Sequence, residues 1–411
     1  MKALVLAGGY PQIALIQELK SRSITTYLAD WNDEPVAKKY ADKYFQVSTL
    51  DVEAITQVAQ QEKVDFLITA CTDQALLTVA KVSETLGLPC YVSYETALNV
   101  TNKAYMKKMF QQFQVPTSAH ITMGELDWAQ LEGLRFPLIV KPVDCNSSKG
   151  VKKVTNKEEL EAAFADAVRF SRTKTAIVEE FVTGEEISVD VYVENGKAHV
   201  LCVSNSDKIA SSDKFVIFRG KYPAVAEGPI MDQIRATAQK IADAFGLKDS
   251  PMLIQLMCDG QRVYVLEFSA RTGGGVKYRM IKKVSGFDVI KAVVDLTLGI
   301  KPHVQTDKPL CKYLANEFIY CRDGIFDHFE NFEELQQEGV ISEYFQFKWQ
   351  GAEFDGVENS GDRVGGFTVQ DDTLEGIVQK HNRAAEELRV IDNQGQDMMR
   401  HDLLAPLTFN V

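Results

Sequence analysis
The sequence predicts an α/β fold in three parts: a parallel-sheet domain at the N-terminus, a central α+β region and a small α+β tail. Short apolar runs at 2–7 (KALVLA), 25–29 and 64–70 alternate with helical stretches, the rhythm of βαβ units. Farther on, Asn195-Gly196 and Asp259-Gly260 each sit between alternating apolar runs, the strongest short-range signal for an antiparallel hairpin.

Taken in order, the run 2–7 ends in Gly8-Gly9, and Ile13, Leu15, Ile16 and Leu19 then follow helical spacing. A strand at 25–29 ends at Asp30, and the strand 64–70 precedes a helix over 75–86 and a strand around 90–92. This is a Rossmann-like arrangement. The Gly8-Gly9 turn lacks the later glycines of a dinucleotide fingerprint, so its simpler role is a tight strand-to-helix turn, with Asp30 a solvated strand end.

The lysine-rich helix 102–114 stops before Val115-Pro116, because proline disfavours helix in the residue before it. A strand over 136–143, a polar loop over 146–150 and a strand over 151–154 come next. Asn156 is the expected N-cap of a helix over 157–170, with Glu159 in its first turn. Strands at 176–182, 186–193 and 198–203 lead to a helix over 231–245, then to the hairpin 252–258 and 262–268. A glycine-rich bend at 271–275 precedes helices over 276–284 and 288–298. The tail carries strands at 313–320, 342–349 and 366–369 and a helix over 373–388.

The bulk composition excludes several classes. A net charge of −12 repels nucleic acid and anionic membrane surfaces as main partners. The seven scattered cysteines form no CxxC pair, so neither a disulfide framework nor a zinc knuckle is expected. No apolar stretch approaches the ~18–20 residues of a membrane span, and the chain opens directly on a strand-like run. A cytoplasmic protein is the expectation.

The chemistry concentrates between residues 101 and 275. TNKAYMKK (101–108) and VPTS (115–118) come first, followed by FPLIVKPV (136–143) and DCNSSKG (144–150). AIVEEFV (176–182) runs into TGEE, and MLIQLMCDGQRVYVLEFSART spans 252–272. A lysine at the end of an apolar strand, such as Lys141, is costly unless its charge meets a partner. Gln255 and Glu267 fall on opposite arms of one predicted hairpin, where cross-strand pairing would set them face to face.

These motifs resemble the ATP-grasp superfamily, in particular its biotin-carboxylase and carbamoyl-phosphate-synthetase branch and the related stand-alone amino-acid ligases. The resemblance implies a Rossmann-like domain over 1–100 and an ATP-grasp domain over 101–300, whose two α+β lobes clasp nucleotide and whose lid lobe covers about 115–185. A small C-terminal α+β domain over 301–411 completes the division. By the same resemblance Lys103 and Lys141 bind ATP phosphates, and Ser147, Ser148 and Gly150 belong to a lid over the triphosphate. Glu179 meets the adenine amino group, the backbone of Phe181 and Val182 pairs with the edge of the base, and Glu186 grips the ribose hydroxyls. Gln255, Glu267 and Ser269 hold one or two Mg²⁺, with Mn²⁺ an alternative. Ser269 stands where the family usually has asparagine. Arg271 stabilises the transferring phosphoryl group, with Lys141 as its catalytic companion.

Gly273–Gly275 and Lys277 would border the acceptor site, and Arg219 and Lys221, in a polar stretch between strands, would bind a carboxylate. The implied activity is ATP-dependent carboxylate–amine ligation through an acyl phosphate, with an amino acid among the small-molecule substrates. A homodimer is compatible with it. Three alternatives stay open: a nucleotide-binding regulatory module without turnover, a carboxylase-type enzyme of the same fold, and a nicotinamide-dependent dehydrogenase.

Overall fold
The structure is a computed structural model that describes residues 1–145, 150–209, 216–225, 227–305, 309–357 and 359–409. The chain groups into two compact units. One comprises Met1–Tyr91, Leu201–Ala226 and Thr272–Val411, the other Val92–Val200 and Glu227–Arg271.

The first unit opens on a four-stranded parallel sheet in the order Lys43–Gln46, Thr25–Asp30, Lys2–Leu6, Phe66–Ile68. Ala3, Leu4, Val5 and Leu6 are all fully buried, because helices cover both faces of a parallel sheet. One of them, Tyr10–Ser21, carries Pro11 in its first turn, where the missing N–H costs nothing. The Gly8 turn is tight as expected: a Cβ there would lie 2.4 Å from the Pro35 side chain. Asp30 is not a solvated strand end. It is buried, and its Oδ2 accepts the Gly8 N–H at 2.6 Å while Oδ1 accepts from Asn32 N at 2.8 Å. The carboxylate thus satisfies two backbone donors that the sharp chain reversal would strand. The expected strand around 90–92 is irregular chain. Ser93, which follows, caps the helix Tyr94–Thr101 by accepting from Thr96 N, so the local signal there is a helix start.

Helix Val289–Thr297 buries Ile290, Val293 and Val294 in the same apolar cluster as Ala3, Val5 and Leu15. An antiparallel sheet in this unit runs from residues 205–208 through Ile217–Tyr222, Tyr313–Ile319 and Gly365–Asp371 to Glu343–Gln346. Helix Leu374–Glu387 is capped by Thr373 and buries Ile377 and Ala384 in the cluster that holds Phe326, Phe332 and Phe367.

The second unit holds a four-stranded antiparallel sheet in the order His120–Met123, Ala176–Glu180, Leu138–Pro142, Lys152–Val154. Strand side chains alternate between faces, and here the two faces differ in kind. Leu138, Val140, Ala176 and Val178 pack with Leu160, Ala163 and Phe164 of helix Lys157–Phe170, whose N-cap is Asn156 as expected. Lys141 and Glu179 point the other way. A second set of antiparallel strands pairs Glu185–Glu194 with Ser250–Cys258, and that strand with Val263–Ser269. Among the described residues no helix is long and apolar enough to cross a membrane.

Candidate functional site
Helix Lys103–Gln112 buries Lys103, Met106, Lys107 and Phe110, one face at i, i+3, i+4, i+7 spacing, although two of these residues are charged. Lys107 is 1% exposed and Glu179 3%. Lys107 Nζ lies 2.8 Å from Glu179 Oε2, and Lys141 Nζ meets Glu179 Oε1. Ser118 Oγ adds a hydrogen bond to Oε2 at 2.9 Å. Burial alone would raise the Glu179 pKa; the two ammonium groups reverse that and hold its carboxyl far below the ordinary range. For Lys107, burial prevails and lowers its affinity for a proton, with Glu179 opposing.

The charged face of the sheet therefore brings Lys141 and Glu179 together across the register pair Lys141↔Ile177, while His120 stands directly across from Glu179. His120 Nδ1 sits 2.9 Å from Ser118 O, and burial favours its neutral form.

Glu267 lies directly opposite Gln255 on the hairpin, and Gln255 is in turn opposite Ser188. Ser269, two residues beyond Glu267, pairs with Leu253, so Gln255, Glu267 and Ser269 share a face. A register shift after Gln255 leaves Leu266 as the extra residue of a bulge, which re-aims side chains beside it. Lys103 Nζ is 3.0 Å from Glu267 Oε2 and donates to Cys145 O at 2.9 Å. The charges of Glu179, Lys141 and Glu267 all act on Lys107, so the two halves of the site lie within electrostatic reach of each other.

The donor set on the hairpin face is an amide oxygen, a carboxylate and a hydroxyl, and the Glu267 carboxylate already holds a cationic ammonium against it. Among the described residues no group of three or more His, Cys, Asp or Glu side chains gathers. Such a sparse set fits magnesium, which keeps waters and phosphate oxygens and needs only one or two carboxylates.

Of the other expected residues, Phe181 and Val182 are half-buried at the end of the strand Ala176–Glu180. The Phe181 N–H donates to Pro137 O at 3.0 Å, and Lys153 Nζ stands 3.7 Å from the centre of its ring. Glu186 is half-buried opposite Met257, and Arg271 is half-buried. Gly150 has φ +74, and a Cβ there would come within 2.9 Å of Pro142, so the position requires glycine. Ser147 and Ser148 lie outside the described residues.

Arg219 and Lys221 do not behave as a polar stretch between strands. Both are buried on the strand Ile217–Tyr222. Arg219 pairs with Glu317 and Asp207, and Lys221 with Asp207 at 2.9 Å, so internal carboxylates use their charge. Sequence reasoning missed Lys107 and Ser118. A lysine in phase with Met106 and Phe110 was the available signal.

Residues 134–279 match the family described as ATP-grasp domain. The arginine-specific carbamoyl phosphate synthase large chain of Bacillus subtilis is 24% identical over 302 residues, 71% of this chain and 28% of that one. The chain thus spans under a third of that relative's length. In three dimensions it is similar to the L-amino acid ligase from Bacillus licheniformis, with TM-score 0.78, 20% identity and coverage of 95% and 98% of the two chains. It is also similar to the biotin carboxylase domain of the Hydrogenobacter thermophilus 2-oxoglutarate carboxylase, with TM-score 0.80, 17% identity and coverage of 98% and 92%. Residues 134–279 thus form an ATP-grasp domain, and the chain shares its fold with both solved chains over nearly their whole length.

Proposed function
We propose that the chain is an ATP- and magnesium-dependent carboxylate–amine ligase that forms an amide or peptide bond through an acyl phosphate, with an amino acid among its substrates. The observation that carries this reading is the Lys107–Glu179–Lys141 cluster standing within the field of Glu267, whose own carboxylate meets Lys103. The similarity to an L-amino acid ligase over 95% of the chain supports the amino-acid substrate.

In this reading Lys141 and Lys103 bind phosphate oxygens, exchanging their present carboxylate partners for the more highly charged ligand. Glu179, expected at the adenine amino group, is buried with both carboxylate oxygens taken by Lys107, Lys141 and Ser118, so it serves the nucleotide site by fixing both lysines. Because the Phe181 N–H is already bonded to Pro137, Phe181 offers its carbonyl and Val182 its N–H to the edge of the base, and Glu186 accepts from the ribose hydroxyls. Ser147, Ser148 and Gly150 cover the phosphates. Gln255, Glu267 and Ser269 would hold magnesium, which when bound offsets charge on the transferring phosphoryl group. Manganese would serve in its place. Arg271 supplies a planar cation for the same oxygens, since phosphoryl transfer depends chiefly on positioning and electrostatics. Attack by an amine on the acyl phosphate then releases phosphate.

The functional division we propose places the Rossmann-like domain at 1–100, the ATP-grasp domain at 101–300 and the small domain at 301–411, in a cytoplasmic protein able to form a homodimer. Ser269 favours a second reading, a nucleotide-binding module without turnover, because a hydroxyl ligates magnesium more weakly than an amide oxygen. Incubation with ATP, Mg²⁺ and pooled amino acids and metabolic acids separates the two. Phosphate released only with particular substrates supports the ligase; nucleotide binding with no release from any pool would overturn it.

A further inference from the structure
Among the described residues, the three buried lysines of the second unit are partnered unequally. Lys107 lies on the inward face of helix Lys103–Gln112, and its ammonium meets three side-chain oxygens. These are Thr117 Oγ1 at 2.5 Å, Glu179 Oε2 at 2.8 Å and Ser118 Oγ at 3.5 Å. An ammonium has three N–H bonds, so none is left over for a ligand. Lys141 is the opposite case, with Glu179 Oε1 as its one partner among the described residues. Lys103 stands between, with Glu267 Oε2 at 3.0 Å and Cys145 O at 2.9 Å.

The anchor of Lys107 is itself fixed. Thr117 Oγ1 donates to Val265 O at 2.7 Å, and Val265 N donates to Pro116 O at 2.8 Å. Val265 is fully buried, two residues before Glu267 on the strand Val263–Ser269. Residues 116 and 117 are thereby hooked to the strand that carries Glu267, and Lys107 ties Glu179 to the same frame. Ser118 Oγ adds its own bond to Glu179 Oε2 at 2.9 Å. One oxygen of Glu179 is held from the helix and the following loop; the other meets Lys141.

This division decides what happens when a more highly charged ligand draws Lys141 away. A buried carboxylate stripped of every counter-charge is costly, so a cation that is its only partner is held fast. With Lys107 and Ser118 in place, Glu179 keeps an ammonium and a hydroxyl after Lys141 has gone. Without Lys107, the pull of Glu179 falls on Lys141 undivided.

We propose that Lys107 is a positioning residue for nucleotide binding: it never touches the nucleotide, and by keeping Glu179 partnered it frees Lys141 to move onto a phosphate oxygen. The role rests on the nucleotide-binding part of the reading above and asks nothing of the later chemistry. Every residue in it lies in the second unit.

The test is isothermal titration of MgADP into the full chain, wild type and variants, at a temperature where circular dichroism shows each to be folded. Lys107→Met should weaken MgADP binding by roughly 10- to 100-fold, because the phosphates must then take Lys141 from a carboxylate with no other cation. Adding Glu179→Gln removes that trap, and the double variant should return to within about fivefold of wild type. A lysine that only props up the fold gives no such rescue of affinity. Unchanged affinity in Lys107→Met, or a loss that Glu179→Gln leaves in place, would overturn the proposal. Should Lys107→Met not fold, Lys107→Gln, which keeps a donor to Glu179 without the charge, takes its place with the same outcomes. No MgADP binding by wild type would reject the nucleotide reading itself, and this role falls with it.

Discussion

A buried glutamate between two lysines is expensive to assemble and expensive to break. Removing one partner of such a cluster typically costs about 3–5 kcal/mol, because the remaining charge stays buried. Lys107→Met should therefore lower the urea midpoint by an amount equivalent to about 3 kcal/mol, at the low end because Lys141 still pairs with Glu179. The double variant Lys107→Met/Glu179→Gln should recover part of that loss, and additive losses would show that the two side chains do not interact. Glu267→Ala is expected to abolish phosphate release while weak nucleotide binding persists by titration; unchanged turnover would sink the metal assignment. Lys141 and Glu267 were legible from sequence because a charged side chain inside an apolar strand demands a partner. Lys107 was not. Three lysines within six residues of one helix look alike until the partner of the helix is known, and only packing shows that Lys107 faces inward with Met106 and Phe110 while Lys108 is exposed.

At the scale of elements, caps and turns followed local chemistry closely. Asn156 accepts from Glu159 N at 2.9 Å, and Asn195-Gly196 turns with positive φ at both residues. Thr373 begins helix Leu374–Glu387 by accepting from Gly376 N at 3.0 Å, so Thr373→Ala should cost about 1 kcal/mol in thermal or urea unfolding. Beside it, Lys380 and hydrogen bonds from Thr373 hold the Asp371 carboxyl down at about 2, against an ordinary 3.8. A depressed carboxyl stabilises the fold above its unfolded pKa. Its contribution is thus full above about pH 4 and drains as the pH falls towards 2. Asp371→Asn should flatten the wild-type loss of stability across that window, and superimposable acid-unfolding curves would refute the assignment. The strand expected at 90–92 failed because three apolar residues do not make a ladder without a neighbour, and Ser93 had already begun a helix.

Over the whole molecule, the seven cysteines report burial. Cys202, Cys258, Cys311 and Cys321 are buried and Cys71, Cys90 and Cys145 half-buried. Burial pushes the Cys311 thiol up to about 11 and that of Cys321 to about 12, far from the thiolate form that reacts. In the native chain at pH 8 a thiol reagent should label no more than three cysteines, with all seven reacting in denaturant. Rapid native labelling of Cys311 or Cys321 would contradict this packing. Core assembly at this scale also ignores sequence order. Val293 and Val294 share a cluster with Ala3 and Val5, nearly three hundred residues earlier, and the first unit is gathered from three separate stretches. Boundaries read along the chain have no access to such pairings, since periodicity reports which face of an element is apolar but not which element covers it.

The sequence by itself determined the α/β class and the caps and hairpins, and it carries the lysines, carboxylates and amide that we propose for a triphosphate and a hard cation. Each of these is written in a short window whose chemistry is nearly independent of the rest. Only the tertiary structure decided how those groups are partnered. It enclosed Glu179 between Lys107 and Lys141, consumed Arg219 in an internal ion pair with Glu317, and anchored Lys107 on Thr117 and Ser118 as well. The physical reason is desolvation. Whether a charge is a solvated surface, a structural pair or a receptor depends on what has replaced its water, and that is fixed by residues distant in sequence.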